Sequence, residues 1–404
     1  MHENPWRRDF PGLEQKVHGK PLIYFDSANT AQKPQLVIDA VSAYLREYAA
    51  NVARAVHHLS ERATAAYELT RDRIAESLGG VDRKEIVLTS GTTEALNLVA
   101  YGLSQTLLKP GDEVLVSEME HHANIVPWQI HAERVGAKVV PIAISDQGEL
   151  DLEQLERALQ GRAKVLALTH VSNVLGTISP LAEICALARR HGVISVIDGS
   201  QALPHMAVSV SKIDPDFYAF TGHKLFAPTG CGGLYGRYPL LQSLPPLHGG
   251  GEMIREVSFS GTSYAEAPQR FEAGTPNIAG HIGLAAALAW RQQADIEQIA
   301  RHEQALSAQL LEGLEQIDGL RVLGQAQARA PVFAFAIQGA HAHDIALLLD
   351  QEGIAVRSGQ HCAHPLLKRM GVNSSVRVSL ACYNTASEIE RFLQVLRKVV
   401  VMLR

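Results

Sequence analysis

From Glu85 onward, short apolar runs alternate with longer amphipathic stretches. The runs EIVLT, EVLVSE, AKVVPIAI, AKVLALTHV, VISVID, DFYAFT and CGGLYG have strand length and are rich in Val, Ile and Leu. Between them, segments such as LDLEQLERALQG and LAEICALARRHG repeat their apolar positions with helical spacing and carry Gly near their ends. Strands alternating with helices predict an α/β fold whose mainly parallel sheet is covered on both faces. Residues 244–277 read as a loop-rich stretch, and a long helix is expected from near Gly280. After Arg329 the texture changes: APVFAFAI, IAVRSG and VRVSLA read as short strands, with helices at HAHDIALLLDQEG and SEIERFLQVLRKVVVML. This predicts a large domain over 26–285 and a smaller α+β domain from 286–404, which the first residues, 1–25, join.

Length agrees with two domains, since 404 residues exceed one ordinary core. Hydrophobic residues make up 46% and charged residues 20%, with a formal net charge of -5. No long basic run offers a nucleic-acid footprint. The apolar runs fall short of the roughly 20 residues of a membrane helix, and the N-terminus lacks the apolar core of a secretory signal. The 4 cysteines lie far apart and form no CxxC pair. A cytoplasmic, reducing setting without disulfides or metal is the expectation.

Ligands of open α/β sheets bind beyond the carboxyl ends of the strands, so the residues following each run deserve weight. VISVI ends in Asp198, with Gln201 close behind. DFYAF leads into Thr221-Gly222-His223-Lys224, and IVLT into Ser90-Gly91-Thr92-Thr93-Glu94. EVLVSE is followed by Met119-Glu120-His121-His122-Ala123-Asn124, and ALTHVS by Asn173. These are the parts of a pyridoxal phosphate site. Lys224 supplies an amine for covalent attachment, and Asp198 a carboxylate against the pyridinium nitrogen. Gly91-Thr92-Thr93 at a helix start offers a phosphate cup that Thr221 and His223 complete. His121 suits a ring stacked on the cofactor, and Gln201 a donor to its phenolic oxygen. Each residue also has an ordinary reading: a solvated lysine, a capping aspartate, a capping box in GTTE. Their convergence argues for the cofactor.

The series SGTTEALNLVA, EMEHHANIVPW, THVSNVLGT, IDGSQA, DFYAFTGHKLFAPTG, FEAGTPN and RSGQHCAHPLL resembles the motifs of group II cysteine desulfurases. These are a branch of the class-V aminotransferase family with the PLP fold type I. The motifs run in the family's order from about Asp26 to Asn384. The resemblance implies a seven-stranded sheet and assigns Lys224, Asp198, Gln201, His121, Thr92, Thr93, Thr221 and His223 to the cofactor. It implies a homodimer, with Thr275 reaching the phosphate of the neighbouring subunit. Arg377, with Asn173 and Arg357, is implied for the substrate carboxylate, for which a bidentate guanidinium is apt. Cys362 is implied as the nucleophile that takes sulfur from L-cysteine, leaving alanine and a persulfide. A thiolate is required there, and Arg357 or His361 is the expected electrostatic support. The sulfur would feed iron-sulfur cluster assembly or another transfer through a SufE-like acceptor protein.

Several positions depart from the family pattern. Ala53-Arg54-Ala55 stands where His-Arg-Gly is usual, and Asn29, Ser90 and Ser200 replace alanine, arginine and alanine. Rival readings are a selenocysteine lyase using the same site, an aminotransferase with no use for Cys362, and a non-catalytic sulfur-carrying scaffold. His248-Gly249-Gly250-Gly251 mimics a lipase loop but has no GxSxG partner. Gly230-Cys231-Gly232-Gly233 lacks the frame of a dinucleotide loop.

Overall fold

Residues 4–53 and 56–403 are described by a computed structural model. Seven strands form one sheet in the order Ile86–Thr89, Gly232–Gly236, Phe217–Thr221, Ile194–Asp198, Ala163–Thr169, Glu113–Ser117, Lys138–Ile142. Gly232–Gly236 runs antiparallel to both its neighbours, and the other pairings are parallel. Six of the strands read as continuous apolar runs because both faces are buried, while the edge strand Lys138–Ile142 has only Ile142 buried. Alternate side chains enter opposite cores: Leu115, Leu166, Ile197 and Phe220 on one side, Val114, Val165, Val196 and Ala219 on the other. Helices such as Thr92–Thr106 and Leu181–Arg190 cover those faces.

A second sheet, antiparallel throughout, has the order Leu320–Leu323, Val332–Ile337, Ser375–Ser379, Arg357–Gly359. Its apolar face packs with helices Ile296–Glu315, Ala342–Gln351 and Ala386–Leu403. The N-terminal segment joins it: Ile23–Tyr24 pairs in parallel with Ile354–Ala355, and Phe25 enters the same core. Among the described residues no helix is long and apolar enough to cross a membrane.

The stretch 244–277 is not all loop. Ile254–Ser258 and Gly261–Tyr264 form an antiparallel hairpin. All but one of its residues are exposed, so neither strand has a buried face to impose apolar alternation. The single long helix expected from Gly280 is two helices, Ile278–Gln293 and Ile296–Glu315. Asp295, whose φ of 57° breaks the first, caps the second by accepting from Glu297 N and Gln298 N.

Candidate active site

The carboxyl ends of the parallel strands open into a cavity of about 360 Å³. Its lining gathers Thr92, Thr93, His121, Asn173, Asp198, Gln201, Thr221, His223, Lys224, Arg357, Cys362 and Arg377. Thr275 is not among the lining residues; it is exposed, with Asn51 Nδ2 at 3.4 Å from its hydroxyl. Asn29, Ser90 and Ser200, the departures noted above, also line the cavity. Ala53 does not; it adopts a φ of 75°, and Arg54 and Ala55 lie outside the described residues.

Asp198, at the end of its strand, is 5% exposed. Its Oδ1 accepts from Ser200 N at 2.9 Å and Ser200 Oγ at 2.6 Å. Gln201 donates from Nε2 to Ala28 O at 2.7 Å, while its Oε1 is buried without a partner. Gly91 caps helix Thr92–Thr106 with a φ of 146°, and a Cβ there would come within 3.1 Å of Thr221 Oγ1. With no side-chain cap, the first amides of the helix remain available to an anion.

Lys224 lines the same cavity. Burial lowers its amine to about 8, with Arg377 and Arg357 in the same direction and Asp198 and Cys362 opposing. Its own residue is only half-buried, so the cavity mouth reaches it. His121 caps the short turn His122–Asn124; its Nδ1 accepts from Ala123 N at 3.0 Å, which puts the ring proton on Nε2. Burial, then Lys224, lowers this ring to about 4, so it is neutral. His223 is likewise lowered to about 4 by burial and Lys224.

Two residues to which no role was assigned, Glu120 and Asp26, and one with a different role than expected, His361, organise the site. Glu120 is fully buried and accepts from Asn124 Nδ2 at 2.7 Å and Thr169 N at 3.0 Å, binding the His121 turn to the neighbouring strand. Burial raises its carboxyl to about 7. Asp26 joins Arg377 Nη2 at 3.1 Å and lies 4.0 Å from Arg357 Nη1, while Asn29 Nδ2 donates to its other oxygen at 3.1 Å. Asp26 therefore aligns both arginines. Its signal in the sequence was its place in DSANT, where only Asn29 drew notice. The third is His361, whose Nε2 lies 2.9 Å from Ser375 Oγ. Burial, then Arg377, lowers it to about 3. It therefore carries no positive charge to support a thiolate, contrary to expectation. Arg377 and Lys224 interact electrostatically with Cys362, and Arg357 lines the same cavity.

Arg377 is 2% exposed and donates from Nη1 to Asn173 O at 3.0 Å, leaving Nε buried and unpartnered. Asn173 Nδ2 donates to His361 O at 2.8 Å. The cysteine loop is pinned further by His122 N to Cys362 O at 2.8 Å and His364 N to His122 Nε2 at 3.1 Å. His361 and Cys362 take φ values of 52° and 55°, an uncommon left-handed pair for non-glycine residues. Of the four cysteines, all described, Cys362 alone is exposed. Burial raises Cys185 to about 11 and Cys231 to about 12, and pushes Cys382 well up.

A mainly parallel sheet with a lysine, a carboxylate and a helix start at its carboxyl edge, capped by a small antiparallel domain, defines the PLP fold type I class. The chain belongs to the class-V aminotransferase family, which matches residues 23–392, and within it to the cysteine desulfurases. It is 55% identical over 393 residues to a probable cysteine desulfurase of Xylella fastidiosa, covering 97% of this chain and 94% of that one. It is 48% identical over 397 residues to a probable cysteine desulfurase of Vibrio cholerae, covering 98% of each. The crystal structure of the cysteine desulfurase CsdA from Escherichia coli superposes with a TM-score of 0.93 at 40% identity over 100% of both chains.

The residues present fit pyridoxal phosphate. The uncapped helix start at Gly91 and the solvent-poor Asp198 are groups that its phosphate and ring nitrogen would engage.

Proposed function

We propose that this chain is a pyridoxal phosphate-dependent cysteine desulfurase that converts L-cysteine to L-alanine and leaves a persulfide on Cys362. The observation that carries this reading is one exposed thiol sharing a cavity with Lys224 and Asp198, while the other thiols are buried. The bound cofactor supplies an electron sink that allows the substrate to lose its α-proton and then its sulfur.

The chain's residues have distinct tasks in this reading. Lys224 holds the cofactor, and its lowered amine exchanges a proton readily near neutral pH. Asp198 holds the ring nitrogen, and Gln201 the phenolic oxygen. Thr92, Thr93, Thr221 and His223 surround the phosphate, and neutral His121 stacks on the ring. Arg377 receives the substrate carboxylate, supported by Asn173 and Arg357. The Cys362 thiolate attacks the substrate sulfur: the Sγ–S bond forms, the Cβ–S bond breaks, and the electron pair stays with carbon. Protonation of that carbon completes alanine. An aminotransferase would have no task for Cys362.

The short, pinned loop cannot carry the sulfur far, since an extended chain gains only about 3.3–3.6 Å per residue. A SufE-like acceptor that presents its own thiolate at the site fits that constraint, as would delivery to iron-sulfur cluster assembly. Exposed Thr275, outside the cavity, supports a homodimer in which it reaches the neighbour's phosphate. The separate apolar clusters around the two sheets support a large domain and a smaller one built mainly from 286–404; of the N-terminal segment, Ile23 packs in the smaller core, while Trp6, Phe10 and Leu13 pack in the larger one. The test is alanine and persulfide production from L-cysteine by the purified protein; neither product would end the desulfurase reading.

A further inference from the structure

A second cavity, of about 740 Å³, shares no lining residue with the first. Met206, Val208, Ile213 and Leu288 give it an apolar wall. Arg291, from helix Ile278–Gln293, faces into it and is only 7% exposed. Its Nη2 donates to Met206 O at 2.6 Å, and its Nε is buried without a partner. Glu303, the acid that acts on it, forms no ion pair with it: Oε2 is paired with His205 at 2.8 Å, and Oε1 is buried without a partner. A buried guanidinium without its own counter-charge is strongly disfavoured, and an apolar residue would pack there more cheaply.

His170 provides a second donor. It lines the same cavity and is 6% exposed. Its Nδ1 lies 2.8 Å from the hydroxyl of fully buried Tyr218. Burial lowers the ring to about 4, so it is neutral. The phenol has no other acceptor among the described residues, so it donates to Nδ1 and leaves the proton on Nε2. At the rim, Arg73 pairs with Glu76 at 3.2 Å and Asp295 caps the next helix, while Lys212 and Glu297 are opposite in sign. The rim thus selects no second charge, and the charge at depth is a single positive one.

We propose that this cavity binds an amphipathic monocarboxylate, with its carboxylate on Arg291 and His170 Nε2–H and its apolar body against Met206, Val208 and Leu288. Calorimetric titration of the cofactor-loaded protein with hexanoate, and with uncharged hexanamide as control, tests it. Saturable hexanoate binding is expected, with hexanamide about tenfold or more weaker. Arg291→Met should weaken hexanoate to a similar extent while keeping the cofactor absorbance. Should that variant misfold, Ala207→Trp, at an exposed lining position, should block binding instead. No saturable heat with hexanoate, or equal binding of hexanamide, overturns the proposal. So does heat that survives Arg291→Met but vanishes in Arg377→Ala, since that places the carboxylate in the first cavity.

Discussion

The Ser200 hydroxyl donates to Asp198 Oδ1 at 2.6 Å and meets Thr92 Oγ1 at 2.6 Å. Ser200 has one proton to give, so Thr92 donates to Ser200. The carboxylate at the end of one strand is thereby joined to the start of helix Thr92–Thr106, and its Oδ2 stays free to face the cofactor. Asp198→Ala should weaken pyridoxal phosphate binding by about 10- to 150-fold, the equivalent of roughly 1.5–3 kcal/mol for a buried hydrogen bond to a charged group. Ser200→Ala should cost about 1 kcal/mol of folding stability and leave cofactor binding within about threefold, since Ser200 N still holds Oδ1. Fluorescence titration of cofactor-free protein and urea unfolding measure both. Equal loss of affinity in the two variants would contradict the division of labour.

Lys224→Ala should remove the visible absorbance of the lysine-bound cofactor and abolish turnover. In the unaltered protein, borohydride reduction followed by peptide mapping should place the cofactor on Lys224. A reduced adduct on Lys33, the other lysine that burial lowers to about 8, would reassign the attachment site.

Cys362→Ala should keep the cofactor absorbance and its spectral response to L-cysteine while forming no persulfide. Mass spectrometry of the unaltered protein after cysteine treatment should locate the added sulfur on Cys362. The buried thiols of Cys185, Cys231 and Cys382 are held protonated by their surroundings and should stay unmodified.

Acid should destabilise the cofactor-free fold through its buried imidazoles. His121, His170 and His223 are lowered to about 4 and His361 to about 3, against 6.5 when unfolded. Between those values the unfolded chain binds more protons, so stability is full above 6.5 and falls as pH drops toward 4. Glu120 works against this: raised to about 7 from 4.5, it favours the folded state more as pH falls through that window. Four groups outweigh one. Urea midpoints from pH 7.0 to about 4.5 should therefore decline with net proton uptake on unfolding; a flat profile would show that these rings are not held neutral.

Turnover with cysteine alone should be slow and should rise when a SufE-like acceptor is added, with Cys362 required in both cases. Rapid quenching should show a burst of persulfide before the steady state. Equal alanine release with and without acceptor would show that sulfur departure does not limit the cycle.

The sheet was legible because its strands carry buried side chains on both faces, and that burial writes itself into runs such as VISVID and DFYAFT. Lys224, Asp198 and Gly91 could be placed at one edge because each follows such a run directly. The hairpin at 254–264 escaped notice because almost no residue in it is buried, so no pattern records its strands. Asp26 and Glu120 escaped for a different reason. Their partners, Arg377 and Thr169, lie 351 and 49 positions away, and only folding brings them together. Residue type and local order determined which chemistry this chain can hold. The protonation of its histidines was decided by the tertiary structure alone, because it depends on how far each ring is removed from water and on which charges surround it. His361 shows the difference: beside Cys362 in sequence it promised a positive charge, and packed under Ser375 it has none.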